Sequence, residues 1–386
     1  MLNRPFRFVH ASDFHLEQPP SGLSEVPDHL RELFLEAPYS AAQRVFDTVL
    51  AEEAELLVLS GDVLDPTWTG PRGPLFLVDQ FRRLAERKIE VYWAGGSADP
   101  PEIWPSLVRL PENVHVFPGG RPEEFVHLRD GQPLVRLIGA SRQRGRRLRT
   151  NQFRADPSNL FTIAVVHGNA NGAALRKRRM HYWALGGKHD GSTLFSSPGT
   201  AHFCGSPQGR EPAESGPHGC TLVDVDEALQ VRTAAVGTDV IRWLQERIVV
   251  EEKTSDEDLE TLLRERMHTL VETIPGIDLL VSWTVSGSGP ILARLRRGSL
   301  AADLLDRLRQ QYGFGPPAAW SVSLSAEADE TLPEEWSQQQ TIRGDFLRAV
   351  RHLQINPSEP LGLEAYLTES QLSDPLGAAT TSGKVL

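Results

Sequence analysis

At 386 residues the chain exceeds the ~150 of one average domain, and its 40% hydrophobic and 24% charged content is that of a folded protein with a sizeable core, which excludes bulk disorder. A formal net charge of −11, from 51 acidic and 40 basic residues, argues against a nonspecific nucleic-acid binder whose whole surface is basic. No apolar run reaches the ~18 residues of a membrane span, no signal-peptide core precedes the first apolar segment, and Cys204 and Cys220 are too few for a disulfide framework or zinc knuckle, so a cytoplasmic protein with no membrane partner is expected.

Hydrophobic periodicity predicts a buried strand at 6–11, an amphipathic helix at 39–53, a strand at 55–60, a helix at 73–87 and a strand at 89–94. This alternation implies parallel pairing in an α/β layer. From 114 to 236 short strands dominate, at 114–117, 134–139, 161–167, 182–185, 221–225 and 229–235, with a Gly- and Pro-rich loop expected over 196–219. A second sheet packed on the first accounts for them, giving a helix–sheet–sheet–helix sandwich. Strands at 241–249, 278–285 and 320–324 alternate with helices at 256–274 and 300–312, enough for a small α/β cap. A further helix is predicted at 341–353 and another at 361–372, whereas 377–386 has little to bury. The expected division is 1–238, 239–356 and 357–386.

Two basic clusters stand out in the acidic chain. One comprises Arg142, Arg144, Arg146, Arg147 and Arg149; the other Arg176, Lys177, Arg178 and Arg179. They flank His167 in sequence, and a phosphate-facing rim is the expectation where an isolated charge run would be only a solvated loop.

The chemistry lies at strand ends. Asp13-Phe14-His15, Gly61-Asp62 and His167-Gly168 each follow an apolar strand, the edge at which open α/β sheets bind ligands. Taken singly, each reads as a turn or a satisfied histidine; their order and shared position point to a metal centre. Asp with His suits Mn, Fe or Zn better than Mg or Ca.

This ordered set, with Gly186-Gly187-Lys188-His189 as its last member, resembles the calcineurin-like metallophosphoesterase superfamily and, within it, the SbcD/YhaO-type DNA repair exonucleases. The stretches 206–210, 216–220 and 279–287 are similar to the family's closing segment and to the start of its capping domain. The resemblance implies an αββα sandwich with an α/β cap, a first metal on Asp13, His15, Asp62 and His189, and a second on Asp62 and His167. It also implies losses. The family's Gly-Asn-His position reads Gly95-Gly96-Ser97, so glycine replaces a ligand and Ser97 replaces the catalytic histidine, while Gly187 replaces a second ligand histidine. Asp99 is near an acidic family position but shifted by one, and His181, His202 and His218 lack the spacing to substitute.

The resulting expectation is one divalent ion, Mn first with Fe or Zn as alternatives, and a second ion weak or absent. A homologue that binds DNA ends and an SbcC/YhaN-type coiled-coil ATPase, with impaired or absent two-metal catalysis, is the leading reading. Alternatives are a working phosphodiesterase that uses one metal or replacement ligands, and a non-catalytic structural subunit; a homodimer is left open. The combined substitutions Gly96→Asn, Ser97→His and Gly187→His would be expected to raise metal occupancy if the backbone still follows the family.

Overall fold

A computed structural model of the chain describes residues 4–23, 26–65, 70–105, 108–143, 150–154, 160–327 and 334–355. The chain forms two compact units, Met1–Ala326 and Glu327–Leu386. In chain order the first unit carries β1 (Phe6–Ala11), α1 (Asp28–Ala51), β2 (Leu56–Leu59), α2 (Arg72–Glu86), β3 (Glu90–Trp93), β4 (Val114–Val116), β5 (Glu123–Arg129), β6 (Gln132–Ala140), β7 (Phe161–His167), α3 (Gly172–Arg176), β8 (Tyr182–Gly186), β9 (Ser192–Phe195), β10 (Thr200–Phe203), β11 (Gly219–Val225) and β12 (Val231–Gly237). It continues with β13 (Ile241–Val250), α4 (Asp256–Thr273), β14 (Asp278–Gly287), α5 (Pro290–Arg296), α6 (Ser299–Tyr312) and β15 (Ala319–Ala326).

Two six-stranded sheets, ordered β12-β11-β1-β2-β3-β4 and β5-β6-β7-β8-β10-β9, form the expected sandwich. Strands β1 to β4 run parallel, as do β6 to β8. Alternation along the strands explains the layers. Phe8, Leu56, Val58 and Tyr92 point between the sheets at Val135, Ile163 and Tyr182, whereas Val9, Leu57, Leu59 and Val91 point outward onto Val45, Phe46 and Phe81 of α1 and α2. The outer face of the second sheet is covered around Trp183 by Phe153, Leu175 and Phe195. A polar residue sits within this interior: His10 is fully buried, with Nδ1 3.0 Å from the Tyr182 hydroxyl and Nε2 2.8 Å from Ser60 Oγ.

The third sheet, β13-β14-β15, is all parallel. One face packs on α4, α5 and α6 through Leu259, Leu263, Met267, Trp283 and Leu304. On the other, Ile241, Trp243, Leu280 and Ala318 receive Leu30, Phe34 and Ala37 of α1.

Helix α1 begins earlier than its periodicity predicts. Its first turns precede Pro38, which lacks the N–H of an interior turn. Burial of Leu30, Phe34 and Ala37 against the third sheet carries the helix through it. Strands β5, β9 and β10 and helix α5 are also absent from the periodicity reading. In the second unit, Glu334–Gln338 and Ile342–Ile355 are helical, close to the predicted 341–353. The helix predicted at 361–372 lies outside the described residues. No described helix is long and apolar enough to cross a membrane.

Candidate metal centre

The candidate ligands meet because the loops after β1 and β2 continue the strand pairing beyond the sheet. Asp13 N–H donates to Gly61 O at 2.9 Å and His15 N–H to Asp62 O at 3.0 Å. This zipper forces Asp13, His15 and Asp62 to positive φ, at 56°, 45° and 51°, a conformation that costs a non-glycine residue on the order of 1 kcal/mol. His167 is the last residue of β7, and Gly187 and His189 follow β8. Both sheets thus present the carboxyl ends of their parallel strands to one cleft.

On one side, Asp13, His15 and His189 bring ligand atoms within 4.8 Å of one another. Asp13 Oδ1 lies 3.9 Å from His15 Nε2 and 4.0 Å from His189 Nε2. Asp13 Oδ2 is already satisfied by Ser12 Oγ at 2.5 Å and Gly187 N–H at 2.9 Å, but Oδ1 and both His15 ring nitrogens are buried without a hydrogen-bond partner. Buried polar atoms are rarely left so, because an unmade bond costs about 1–3 kcal/mol. A divalent cation could take Asp13 Oδ1, one His15 ring nitrogen and His189 Nε2 as ligands, so this donor set fits a metal. Burial, and then the Arg210 charge, push the His15 pKa down to about 3, which keeps its ring neutral and able to ligate. His189 is oriented by Glu214, whose Oε1 accepts from Nδ1 at 2.5 Å, so Nε2 faces Asp13.

The other side is arranged differently. Asp13, Asp62 and His167 also converge within 4.8 Å. Here, though, His167 Nδ1–H donates to Ser60 O at 2.9 Å and Nε2 stands 3.1 Å from Asp62 Oδ2. Asp62 Oδ1 accepts the Ala98 N–H at 2.6 Å. Burial raises the Asp62 pKa, but the His167 bond and charge outweigh it and bring it to about 2. His167 is pushed the opposite way: burial lowers it, the Asp62 bond and the neighbouring carboxylates raise it, and it ends at about 9. This pair satisfies itself.

The predicted residues that do not join the site have physical reasons. Gly96 and Gly187 offer no donor, and Ser97 is exposed on its loop. His181, His202 and His218 are engaged elsewhere, by Thr162 N–H, by Thr193 and Thr221, and by Ser206. Arg144, Arg146, Arg147 and Arg149 lie outside the described residues. Arg142, at the rim, has Nη1 3.0 Å from where a Gly168 Cβ would stand. Of the second cluster, Arg176, Lys177 and Arg179 are exposed and Arg178 is half-buried.

Sequence reasoning missed Glu214 and Arg210 and undervalued Asp99. The Asp99 carboxylate is buried and accepts N–H groups from Asp62 at 2.8 Å, Val63 at 3.0 Å and Gly96 at 2.5 Å, plus Trp93 Nε1–H at 3.2 Å. Burial and the Asp62 charge raise its pKa to about 6 against those donors. The one-residue shift of Asp99 visible in the sequence is the signal that could have found it. A Cβ on Gly96 would fall 2.3 Å from Asp62 Oδ1 and 2.6 Å from Asp62 N, so the position now held against Asp62 has no room for asparagine. Restoring the family residue at position 96 would therefore require Asp62 or its turn to move.

No family model matches the chain. It is 27% identical over 338 residues, 83% of this chain and 82% of the other, to an uncharacterized metallophosphoesterase, YhaO, of Bacillus subtilis (strain 168). That match supports the metallophosphoesterase superfamily. Among solved structures the chain is similar to a dimetal phosphatase from Danio rerio, at 11% identity over 60% of this chain and 96% of that one with a TM-score of 0.39. It is also similar to Yfce, a phosphoesterase from E. coli, at 14% identity over 60% and 100% of the two chains with a TM-score of 0.26. The superfamily implies a divalent metal, in keeping with the unsatisfied donors around Asp13.

Proposed function

We propose that the chain is a metallophosphoesterase homologue of the DNA repair exonuclease type that holds one divalent ion tightly, engages DNA ends, and has impaired two-metal hydrolysis. One contrast carries this reading: Asp13 Oδ1 and both His15 nitrogens are buried without partners, whereas Asp62 and His167 partner each other and the backbone. Asp13, His15 and His189, with Asp62 alongside, would hold the ion, Mn first among the candidates. When bound, it would polarise a phosphoryl oxygen and lower the pKa of a coordinated water. The chain's own residues then bind and orient. Glu214 fixes the His189 ring, Asp99 fixes the Asp62 turn, and no histidine stands at position 97 to protonate a leaving oxygen.

The basic residues of 142–149 and 176–179 supply sequence-independent contacts to phosphates in this reading, and residues beyond 356 supply contacts to a coiled-coil ATPase. The test combines metal analysis of purified protein with Mn-dependent cleavage of DNA ends and duplex binding across a salt series. At most one ion per chain, weak cleavage, and binding that falls with salt by roughly 0.9 log units per log unit for each phosphate neutralised are expected. Two full-occupancy ions with robust turnover would refute it.

A second reading, a working phosphodiesterase with an unusual ligand set, is favoured by one observation. Asp13, Asp62 and His167 converge closely enough to accept a cation despite the two glycines. The same metal analysis separates the two.

A further inference from the structure

The half of the cleft around His167 is floored by glycines. The Cβ positions of Gly61, Gly186 and Gly187 would come within 2.7, 3.0 and 3.2 Å of the His167 ring, and that of Gly96 within 2.3 Å of the Asp62 carboxylate. At positions 96 and 187, where the family resemblance places ligand side chains, this chain has glycine beside Asp62 and His167. A cationic side chain stands beside this floor. The ideal Cβ of Gly168, the residue after His167, lies 3.0 Å from Arg142 Nη1, so the glycine leaves the space the guanidinium uses.

Arg142 is also firmly rooted. Its N–H donates to Gly95 O at 2.8 Å, and the neighbouring Ser141 hydroxyl accepts Gly95 N–H at 2.8 Å while donating to Phe117 O at 2.5 Å. The arginine backbone is therefore tied to the loop that carries Gly96 and Ser97, and its side chain remains exposed. Elsewhere in the site, Arg210 donates to Gln18 Oε1 at 2.7 Å and has Nη2 3.5 Å from His189 Nδ1, while its Nε is buried without a hydrogen-bond partner.

We propose that Arg142 grips the non-bridging oxygens of a phosphodiester on the side of the cleft where Gly96, Ser97 and Gly187 provide nothing. This rests on the phosphoesterase reading above. The chemistry favours it: a phosphodiester is an anion, and Arg142 places a cationic side chain beside a cleft that also carries the Asp13 and Asp62 carboxylates. A guanidinium supplies positive charge as a planar fork matched to two phosphate oxygens, and an ammonium at the same place would supply charge without that geometry.

The test uses the full-length, metal-loaded protein as wild type, Arg142→Ala and Arg142→Lys. Calorimetry measures affinity for a phosphorothioate dinucleotide, alongside metal content and melting temperature. Arg142→Ala should weaken binding about 10-fold or more, with Arg142→Lys intermediate and with metal content and melting temperature unchanged. Equal affinities for wild type and Arg142→Ala would overturn the proposal alone. A loss of metal or of melting temperature accompanying the weaker binding would assign Arg142 a structural role and also overturn it. If wild type binds no phosphodiester at all, the proposal and the functional reading fall together.

Discussion

Replacing Gly96 by alanine, the smallest change possible there, tests how closely Asp62 is held against this loop. The added carbon would sit 2.3 Å from Asp62 Oδ1, 2.6 Å from Asp62 N and 2.9 Å from Asp62 Cγ, none of them the end of a long flexible side chain. Overpacking of this kind costs about 1–3 kcal/mol. Relief requires moving the carboxylate away from Ala98 N–H at 2.6 Å or His167 Nε2 at 3.1 Å, and a buried charge that loses such a bond costs about 1.5–3 kcal/mol more. Gly96→Ala should therefore destabilise the fold by about 3–5 kcal/mol in equilibrium urea unfolding, and Gly96→Asn by at least as much. Metal analysis of whatever folds should find no gain in bound ion. A change under about 0.5 kcal/mol, the scatter of neutral surface substitutions, would mean that Asp62 is not held as described.

Glu214→Gln leaves the His189 ring without its carboxylate, and metal affinity measured by chelator competition should fall about 10- to 100-fold; an unchanged affinity would show that Glu214 does not orient the ligand. Asp99→Leu strips the acceptor from three backbone N–H groups and the Trp93 indole and should destabilise by about 4 kcal/mol or more, with Asp99→Asn milder; the urea midpoints decide, and equal midpoints for wild type and Asp99→Leu would refute the bracing role. The Glu55 carboxylate, bonded by His127 and then Arg129, is held at a pKa of about 2, below its unfolded value of about 4.3. Its stabilisation, on the order of 2 kcal/mol, is therefore complete above pH ~4.3 and lost as pH falls toward ~2; Glu55→Gln should flatten the acid limb of the stability curve in that window, and an unaltered limb would refute it.

What could be read from the sequence follows from what each residue's position depends on. Asp13, Asp62 and His167 were legible because each terminates an apolar strand, and strand ends are set by local pattern. Strands β1, β2, β7 and β14 were legible for the same reason. Asp99 and Glu214 were not, since the partners that tie them to the site, Asp62 and Val63 for Asp99 and His189 for Glu214, lie 25 to 37 residues away in the chain, a separation that no periodicity encodes. Strand β5 hid because its outward face mixes Glu124 with the exposed Val126 and Leu128, and β9 and β10 because they sit beside a turn-rich segment. The first turns of α1 precede Pro38, whose local cost is outweighed by burial on a sheet that forms much later in the chain.

Helix α1 is a single splint laid across two bodies. Its first turns are buried on the three-stranded sheet through Leu30 and Phe34, its later turns on β1 and β2 through Val45, Phe46 and Val49, and Arg44 Nη1 donates to Asp239 O at 2.6 Å beside the junction. The three-stranded sheet consequently cannot swing over the cleft as a tethered flap on a loose linker. Any such motion must flex the helix, and the turn at Pro38, already short of one main-chain hydrogen bond, is where flexing is least resisted.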